Sequence, residues 1–252
     1  IRACATEIVS GMVVHTNTPR VEESRRLTLE LLFSDHTGDC RPPCVLACPA
    51  HTDCQGYVGL IANKQYREAV ALIRDRLPLP ASIGRVCPHP CETACRRALV
   101  DEPVSIANLK TLVGDLDLEG DDPFLPEMAA PTGKRIAVVG AGPAGLTAAY
   151  FLARDGHEVT VYDAMPQGGG MLRYGIPVYR LPNEVLDQEI NLIEKMGVHF
   201  AYNTRIGQDM TLRYLKETHD AVFVGIGAWE SSSMRCKGEG LPGVLGGINF
   251  LR

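Results

Sequence analysis

The 252-residue chain has room for two domains, is 45% hydrophobic and 22% charged, and carries a net charge of −5. That balance excludes a general nucleic-acid binder, whose phosphate contacts demand a basic surface. No apolar run approaches the roughly 18 residues that span a bilayer, so the chain reads as cytoplasmic, without a membrane span, repeat or low-complexity segment.

In chain order, Ala3-Cys4 to Val14 leads into Pro19 to Phe33, which has helical periodicity, and then into Leu-Leu-Phe-Ser-Asp-His36-x3-Cys40. Seven cysteines and one histidine fall in two clusters, His36, Cys40, Cys44, Cys48 and Cys54, then Cys87, Cys91 and Cys95. A cubane iron–sulfur cluster needs four ligands around a small cube, and loops with a cysteine every three or four residues supply them. Eight candidates suit two clusters. Cys48-Pro49 closes its run like the bacterial ferredoxin motif, whose last cysteine serves the other cluster. Structural zinc favours C-x2-C knuckles, and none occurs here. A disulfide framework is the third reading, disfavoured by the nucleotide fingerprint downstream. Cys236 stands alone in a predicted loop and reads as a free structural cysteine.

Between the clusters, Tyr57 to Arg76 carries Val58, Ile61, Ala62, Tyr66, Ala69, Val70 and Ile73, an amphipathic pattern that predicts one helix. Asp117 to Gly133 is acidic and holds three prolines, which predicts a linker. Beyond it, Arg135 to Val139 suits a buried parallel strand and enters Gly140-Ala-Gly142-Pro143-Ala144-Gly145 directly. Leu146 to Arg154 reads as a helix that Gly156 terminates, and Glu158 to Tyr162 as a second strand. That strand ends at Asp163, 18 positions after Gly145, where an acid can bind a ribose. Gly140 permits the tight turn, Gly142 the approach of backbone to pyrophosphate, and Gly145 close packing of helix on strand. A Rossmann unit that has lost its ligand is the bland alternative. Asn183 to Met196 is a further amphipathic helix with Asn183 as N-cap, and Val198 to Tyr202 and Ala221 to Val224 add strands. His15, His89, His157, His199 and His219 read as surface or packing residues.

Residues from about 40 onward resemble the glutamate synthase small subunit and the related flavoproteins of Nfn-type transhydrogenases and dihydropyrimidine dehydrogenase. The resemblance rests on Cys-Pro-Ala-His51, Leu-Pro-Ala-Ser-Ile-Gly-Arg-Val-Cys87-Pro, Glu102-Pro-Val-Ser-Ile106, the glycine fingerprint, Gly168 to Pro177, and Asp220 to Ala228. It implies FAD at the fingerprint, with Gly169, Gly170, Met171, Leu172 and Arg173 near its pyrophosphate and ring system, Gly225, Gly227 and Ala228 lining the crossover, and a separate NADPH domain. The segment around Cys4 is similar to the end of the [2Fe-2S] domain in the large iron–sulfur subunit of complex I, where this cysteine is a cluster ligand, and His36 with its following cysteines matches that subunit's next element. The resemblances together imply one [4Fe-4S] cluster on His36, Cys40, Cys44 and Cys95, and another on Cys48, Cys54, Cys87 and Cys91. His36 has a second reading as a helix C-terminal histidine. Lys110 stands where some relatives supply an unusual ligand, and a protonated lysine binds iron poorly.

The expected architecture is an α/β FAD-binding Rossmann-like domain (134–252), preceded by the end of a [2Fe-2S] ferredoxin-like module (1–18), a mainly α-helical domain for two [4Fe-4S] clusters (19–116) and a linker (117–133), the whole being part of a longer subunit. FAD accepts a hydride and releases electrons singly, and clusters accept them one at a time, so the pair suits exchange between nicotinamide and one-electron carriers. The resemblance to Stn-type electron-bifurcating transhydrogenases implies NADP(H) as substrate, and as partners an FMN-containing NADH-binding subunit, a small [2Fe-2S] thioredoxin-like subunit and ferredoxin. A glutamate synthase small subunit, a diaphorase subunit of a formate dehydrogenase or hydrogenase, and a non-catalytic wiring scaffold are the alternatives.

Overall fold

The computed structural model describes residues 6–35 and 40–251. The chain divides into two units, Ile1–Arg41 and Pro42–Arg252. In the first, helix α1 (Pro19–Ser34) starts where Thr18 caps it by accepting from the Val21 N–H, with proline in the first turn. None of its residues is buried, and Leu27, Leu31, Leu32 and Phe33 are exposed.

The second unit opens with short helices, α2 (Pro43–Ala47), α3 (Cys54–Ala62), α4 (Tyr66–Arg74), α5 (Pro80–Val86) and α6 (Pro90–Thr93), a 3-10 turn at Arg96–Leu99, and the longer α7 (Ile106–Glu119). The single helix expected over Tyr57 to Arg76 is two. Asn63 caps α3 while Lys64 turns left-handed at φ 60°, and the Gln65 N–H returns to the Leu60 carbonyl at 2.9 Å, so the chain reverses before α4 begins. Periodicity alone did not reveal this break, because the same apolar positions face one core from both helices: Tyr57, Ala69, Val70 and Ile73 are buried with Ile106 and Val113 of α7.

Then follow β1 (Arg135–Val139), α8 (Pro143–Arg154), β2 (Glu158–Tyr162), α9 (Met171–Tyr174), α10 (Asn183–Lys195), β3 (His199–Ala201), α11 (Leu212–Thr218), β4 (Ala221–Val224) and α12 (Gly247–Leu251). The four strands pair in parallel in the order β3-β2-β1-β4. Alternation along β1 sends Ile136 and Val138 to the face covered by α8 and α10, and Ala137 and Val139 to the face covered by Leu215 of α11. Helix α8 starts at Pro143 rather than Leu146, because a proline in the first turn loses no helical hydrogen bond. The N-cap of α10 is Pro182, in extended conformation, and not Asn183, which is already helical. β3 spans His199–Ala201 inside the longer strand expected there.

The expected linker is partly ordered helix, since α7 runs to Glu119. Its Asp117 carboxylate meets Arg74 Nη1 at 2.6 Å, both side chains at most 6% exposed. Asp117 Oδ1 also accepts from the Phe124 N–H, and Arg74 donates to the Phe124 carbonyl. Removing one partner of such a buried pair costs roughly 3–5 kcal/mol.

The helical region and the sheet are joined through α5. Leu79, Ile83 and Val86 pack into the core of the sheet, and Ala81 packs with Leu118 and Leu192. At the join, Glu189 of α10 is 1% exposed and its carboxylate accepts from the Ala81 N–H at 2.8 Å and the Ser82 N–H at 3.0 Å. Burial, the largest effect, raises this carboxyl from 4.5 to about 7. The folded chain therefore holds the proton more tightly than the unfolded chain. The stability it contributes, on the order of 3 kcal/mol, is fully present below about pH 4.5 and is lost as pH rises through about 7. Thermal melting followed across that window is expected to show stability falling with pH in the native chain and a flatter profile for Glu189→Gln. An identical slope in the variant would remove Glu189 as its cause.

Candidate functional site

At the C-terminal end of β1 the chain turns through Gly140, at φ 104°, whose N–H donates to the Tyr162 carbonyl at 2.7 Å. A Cβ on Gly145 would lie 1.7 Å from the Gly140 carbonyl oxygen, so only glycine lets α8 start this close to the strand. Gly142 is the N-cap of α8 and supplies no side-chain acceptor, which leaves the first-turn N–H groups facing outward for an anion. A Cβ on Gly170 would meet Gly142 Cα at 2.7 Å, so the loop after β2 closes directly over the fingerprint.

Two adjoining cavities, of about 480 and 160 Å³, follow this turn and share Gly140, Asp163, Ile226, Gly227 and Trp229. The smaller also takes in Gly142, Pro143, Ala144, Gly170, Met171 and Gly225. The larger extends past Thr204 and Arg205. β1 lies between β2 and β4, so this cleft sits at the point where strand order reverses, the usual ligand crevice of an open α/β sheet. The Asp163 carboxylate accepts from the Ala141 N–H at 2.6 Å and the Met165 N–H at 2.7 Å, which aims it along the cleft with lone pairs remaining for a ribose.

Other expected residues stand behind the lining. Leu172 is buried in the sheet core. Gly169, at φ 121°, packs against Leu186. Arg173 donates through Nε to the Gly168 carbonyl at 2.6 Å and pairs with Asp187 of α10, so it holds the loop from behind. Ala228 is exposed beside Gly227. Thr204, Arg205, Ile226 and Trp229 were missed by sequence reasoning, because no motif marks them and only the sheet order brings them to the cleft. Trp229 donates to the Ile226 carbonyl at 3.0 Å, and its ring lies 5.9 Å from Tyr174.

The cysteines divide by neighbourhood. Cys54 and Cys91 are buried in the helical core, with Cys44 and Cys48 packed against it. Cys48, Cys54, Cys87 and Cys91 are linked in one neighbourhood: Cys54 hydrogen-bonds Cys48 and feels the charge of Cys91, and Cys91 in turn feels that of Cys87. That hydrogen bond is the first cause of the shift of each partner, raising the Cys54 thiol and lowering Cys48, as expected when one proton serves two sulfurs. Cys44 interacts instead with Cys95, and burial raises its thiol. Cys40 is exposed in the first unit, whereas His36 and Cys4 lie outside the described residues. Cys236 is an exposed thiol. Among the described residues no group of three His, Cys, Asp or Glu side chains converges at single-ion spacing. Free thiols, two buried and two half-buried, held on separate short segments fit a cubane, whose ligands must reach separate iron atoms.

Lys110 of α7 is 7% exposed, and its charge acts on Cys91. His89, left-handed at φ 59°, donates its N–H to Cys87 Sγ at 3.5 Å, and Glu92 accepts from the Ala107 N–H at 2.8 Å, tying the cysteine loop to α7.

Residues 34–121 match the family described as dihydropyrimidine dehydrogenase domain II, 4Fe-4S cluster, and residues 138–202 match the NAD(P)-binding Rossmann-like domain. The chain is 46% identical over 217 residues to the NADPH-Fe(3+) oxidoreductase subunit beta of Geobacter sulfurreducens, covering 83% of this chain and 32% of that protein. It is 42% identical over 233 residues to the NADP(+)-dependent formate dehydrogenase subunit beta of Moorella thermoacetica, covering 83% and 33%. With the NAD-dependent dihydropyrimidine dehydrogenase subunit PreT of Salmonella typhimurium it shares 39% identity over 202 residues, covering 79% and 47%. The chain thus spans about a third to a half of the length of these relatives. No described helix is long and apolar enough to cross a membrane.

Gly145→Ala is expected to force the fingerprint turn open and lower dinucleotide affinity about tenfold or more, a loss of at least ~1.4 kcal/mol. The single tryptophan, Trp229, lines the cleft, so its fluorescence reports occupancy. Unchanged quenching by dinucleotide in the variant would count against the cleft as the binding site.

Proposed function

We propose, on the premise that the chain belongs to the family of oxidoreductases that join a [4Fe-4S] domain to a dinucleotide-binding Rossmann-like domain, that it is the part of an NAD(P)H-dependent complex in which a bound FAD exchanges electrons with two [4Fe-4S] clusters. The observation that carries the proposal is α10. Its Glu189 grips the N-terminal end of α5, whose C-terminal cap is Cys87, and its Asp187 grips Arg173, which holds Gly168 of the loop that closes the cleft. Cleft and thiols are therefore fixed to one helix.

In this reading the N-terminal N–H groups of α8 bind the pyrophosphate, Asp163 the ribose, and Gly170 and Met171 carry the cofactor's path toward its ring system. FAD supplies the conversion of a hydride into single electrons. Cys48, Cys54, Cys87 and Cys91 would hold one cluster, and His36, Cys40, Cys44 and Cys95 the other, with Cys4 belonging to a [2Fe-2S] module. The burial of Cys54 and Cys91 excludes water from the first of these sites.

NADP(H) is the proposed nicotinamide, supported by the names of the Geobacter and Moorella relatives. The specific form we favour is a bifurcating transhydrogenase, working with an FMN-containing NADH subunit, a small [2Fe-2S] thioredoxin-like subunit and ferredoxin. A diaphorase subunit feeding a formate dehydrogenase is the second reading, supported by the Moorella relative.

The deciding experiment is an anaerobic titration of the full-length protein and its co-purifying subunits with NADPH and, separately, NADH, following flavin absorbance and iron–sulfur EPR. Bleaching by NADPH with ferredoxin reduced only when NAD is present is expected. Bleaching without that coupling would leave the diaphorase, and no bleaching would leave a wiring scaffold.

A further inference from the structure

The two loops that flank the fingerprint are tied to it and to each other. The loop after β2 is held by the Gly169 N–H, which donates to the Ala141 carbonyl at 2.7 Å, and its Gly170 comes so near the turn that a Cβ there would stand 2.7 Å from Gly142 Cα. The loop after β4 is held by the Gly225 N–H, which donates to the Val139 carbonyl at 2.8 Å, and the Gly225 carbonyl oxygen would stand 2.4 Å from a Cβ on Gly140. Beyond these contacts the loops meet through two aromatic rings. Tyr174, at the end of α9, and Trp229 lie 5.9 Å apart between centroids, with their planes inclined at 53°.

Each ring is fixed to its own loop. The Tyr174 hydroxyl donates to the Gln167 carbonyl at 3.2 Å, and Trp229 Nε1 donates to the Ile226 carbonyl at 3.0 Å. Both rings are half-buried. Trp229 lines both cavities of the cleft, whereas Tyr174 lines neither and backs the indole from the opposite loop. Because β1 lies between β2 and β4, these contacts close a circuit that runs from the fingerprint turn through one loop, across the two rings, and back through the other loop. The smaller cavity is lined by the turn and by both loops, so it lies within that circuit.

We infer that Tyr174 and Trp229 are positioning residues that form a clasp across the cleft and set how fast the dinucleotide enters and leaves. This rests on the reading of the cleft as the FAD site. A dinucleotide with its ribose on Asp163 and its pyrophosphate on the first turn of α8 runs through the smaller cavity and therefore through the circuit. Its passage requires the rings to part, and the attraction between two such rings corresponds to about three- to tenfold in rate. A clasp acts on entry and exit alike, so it lengthens residence without adding affinity. A wall that only touches the ligand slows exit alone. Tyr174 separates the two cases, because it lines neither cavity.

The test measures FAD exchange on the full-length protein with its accompanying subunits. Release is followed by exchange of bound FAD against excess radiolabelled FAD, entry by the change in flavin fluorescence when FAD is added to the deflavinated protein, and folding by thermal melting of every sample. Tyr174→Ala and Trp229→Ala are each expected to speed both release and entry about three- to tenfold, and the double variant to be no faster than the faster single one. Tyr174→Phe, which keeps the ring, is expected to stay closer to the native rates than Tyr174→Ala. If Trp229→Ala fails to fold, the two Tyr174 variants decide alone. Native rates in Tyr174→Ala overturn the clasp, and leave Trp229 a wall if its own variant is faster. Faster release with unchanged entry, or effects that multiply in the double variant, overturn it as well. Native protein that neither carries FAD nor takes it up overturns the cleft reading itself, and the clasp with it.

Discussion

The Glu189 carboxylate, buried between α10 and the first turn of α5, is the contact on which the rest of the second unit depends. A fully enclosed carboxylate is expensive, and its environment raises it to about 7. Two backbone N–H groups from the start of a helix offset that cost, and they can do so only if α5 keeps its position against the sheet. The contact is therefore specific in a way that the surrounding apolar packing of Leu79, Ile83 and Val86 is not. Hydrophobic burial holds α5 to the sheet, and Glu189 sets its register.

From that register the geometry propagates in both directions. Cys87 caps the end of α5, and α7 packs across α5 to bring Lys110 to the cysteine loop. Two residues before it on α10, Asp187 fixes Arg173 and thereby the Gly168 loop over the fingerprint. The segment after α7 is held in the same manner by Arg74 and Asp117, so the acidic, proline-bearing stretch is anchored where it leaves the helical region. Two acids in the middle of α10, Asp187 and Glu189, thus tie the loop over the cleft and the start of α5 to one helix.

The fingerprint half of the cleft was legible because its chemistry is local. Gly140, Gly142 and Gly145 act within one strand–turn–helix, and Asp163 sits at the end of the adjoining strand, so spacing alone identifies them. Leu172 and Arg173 were legible as neighbours of the cleft but not as to which way they face. Side-chain direction in so short a helix is decided by what packs behind it, here Leu186 and Asp187 of α10. Thr204, Arg205 and Trp229 were invisible for the same reason. Thr204 and Arg205 approach the cleft because β3 pairs with β2, and Trp229 because β4 returns to pair with β1.

For the thiols, the sequence by itself determined that seven cysteines come in two groups at spacing suited to iron–sulfur ligands, and that a dinucleotide fingerprint follows them. Both signals are short-range patterns of residue type. The family resemblance implied that Cys48 and Cys54 go with Cys87 and Cys91 and Cys44 with Cys95, a grouping that no local pattern of residue type contains, whereas the tertiary structure alone decided that Lys110 is a buried residue and that Glu189, an ordinary acid on an amphipathic helix by pattern, is the join between the two halves. Those outcomes depend on which surfaces meet after the chain has turned back on itself, and no window of sequence contains both partners.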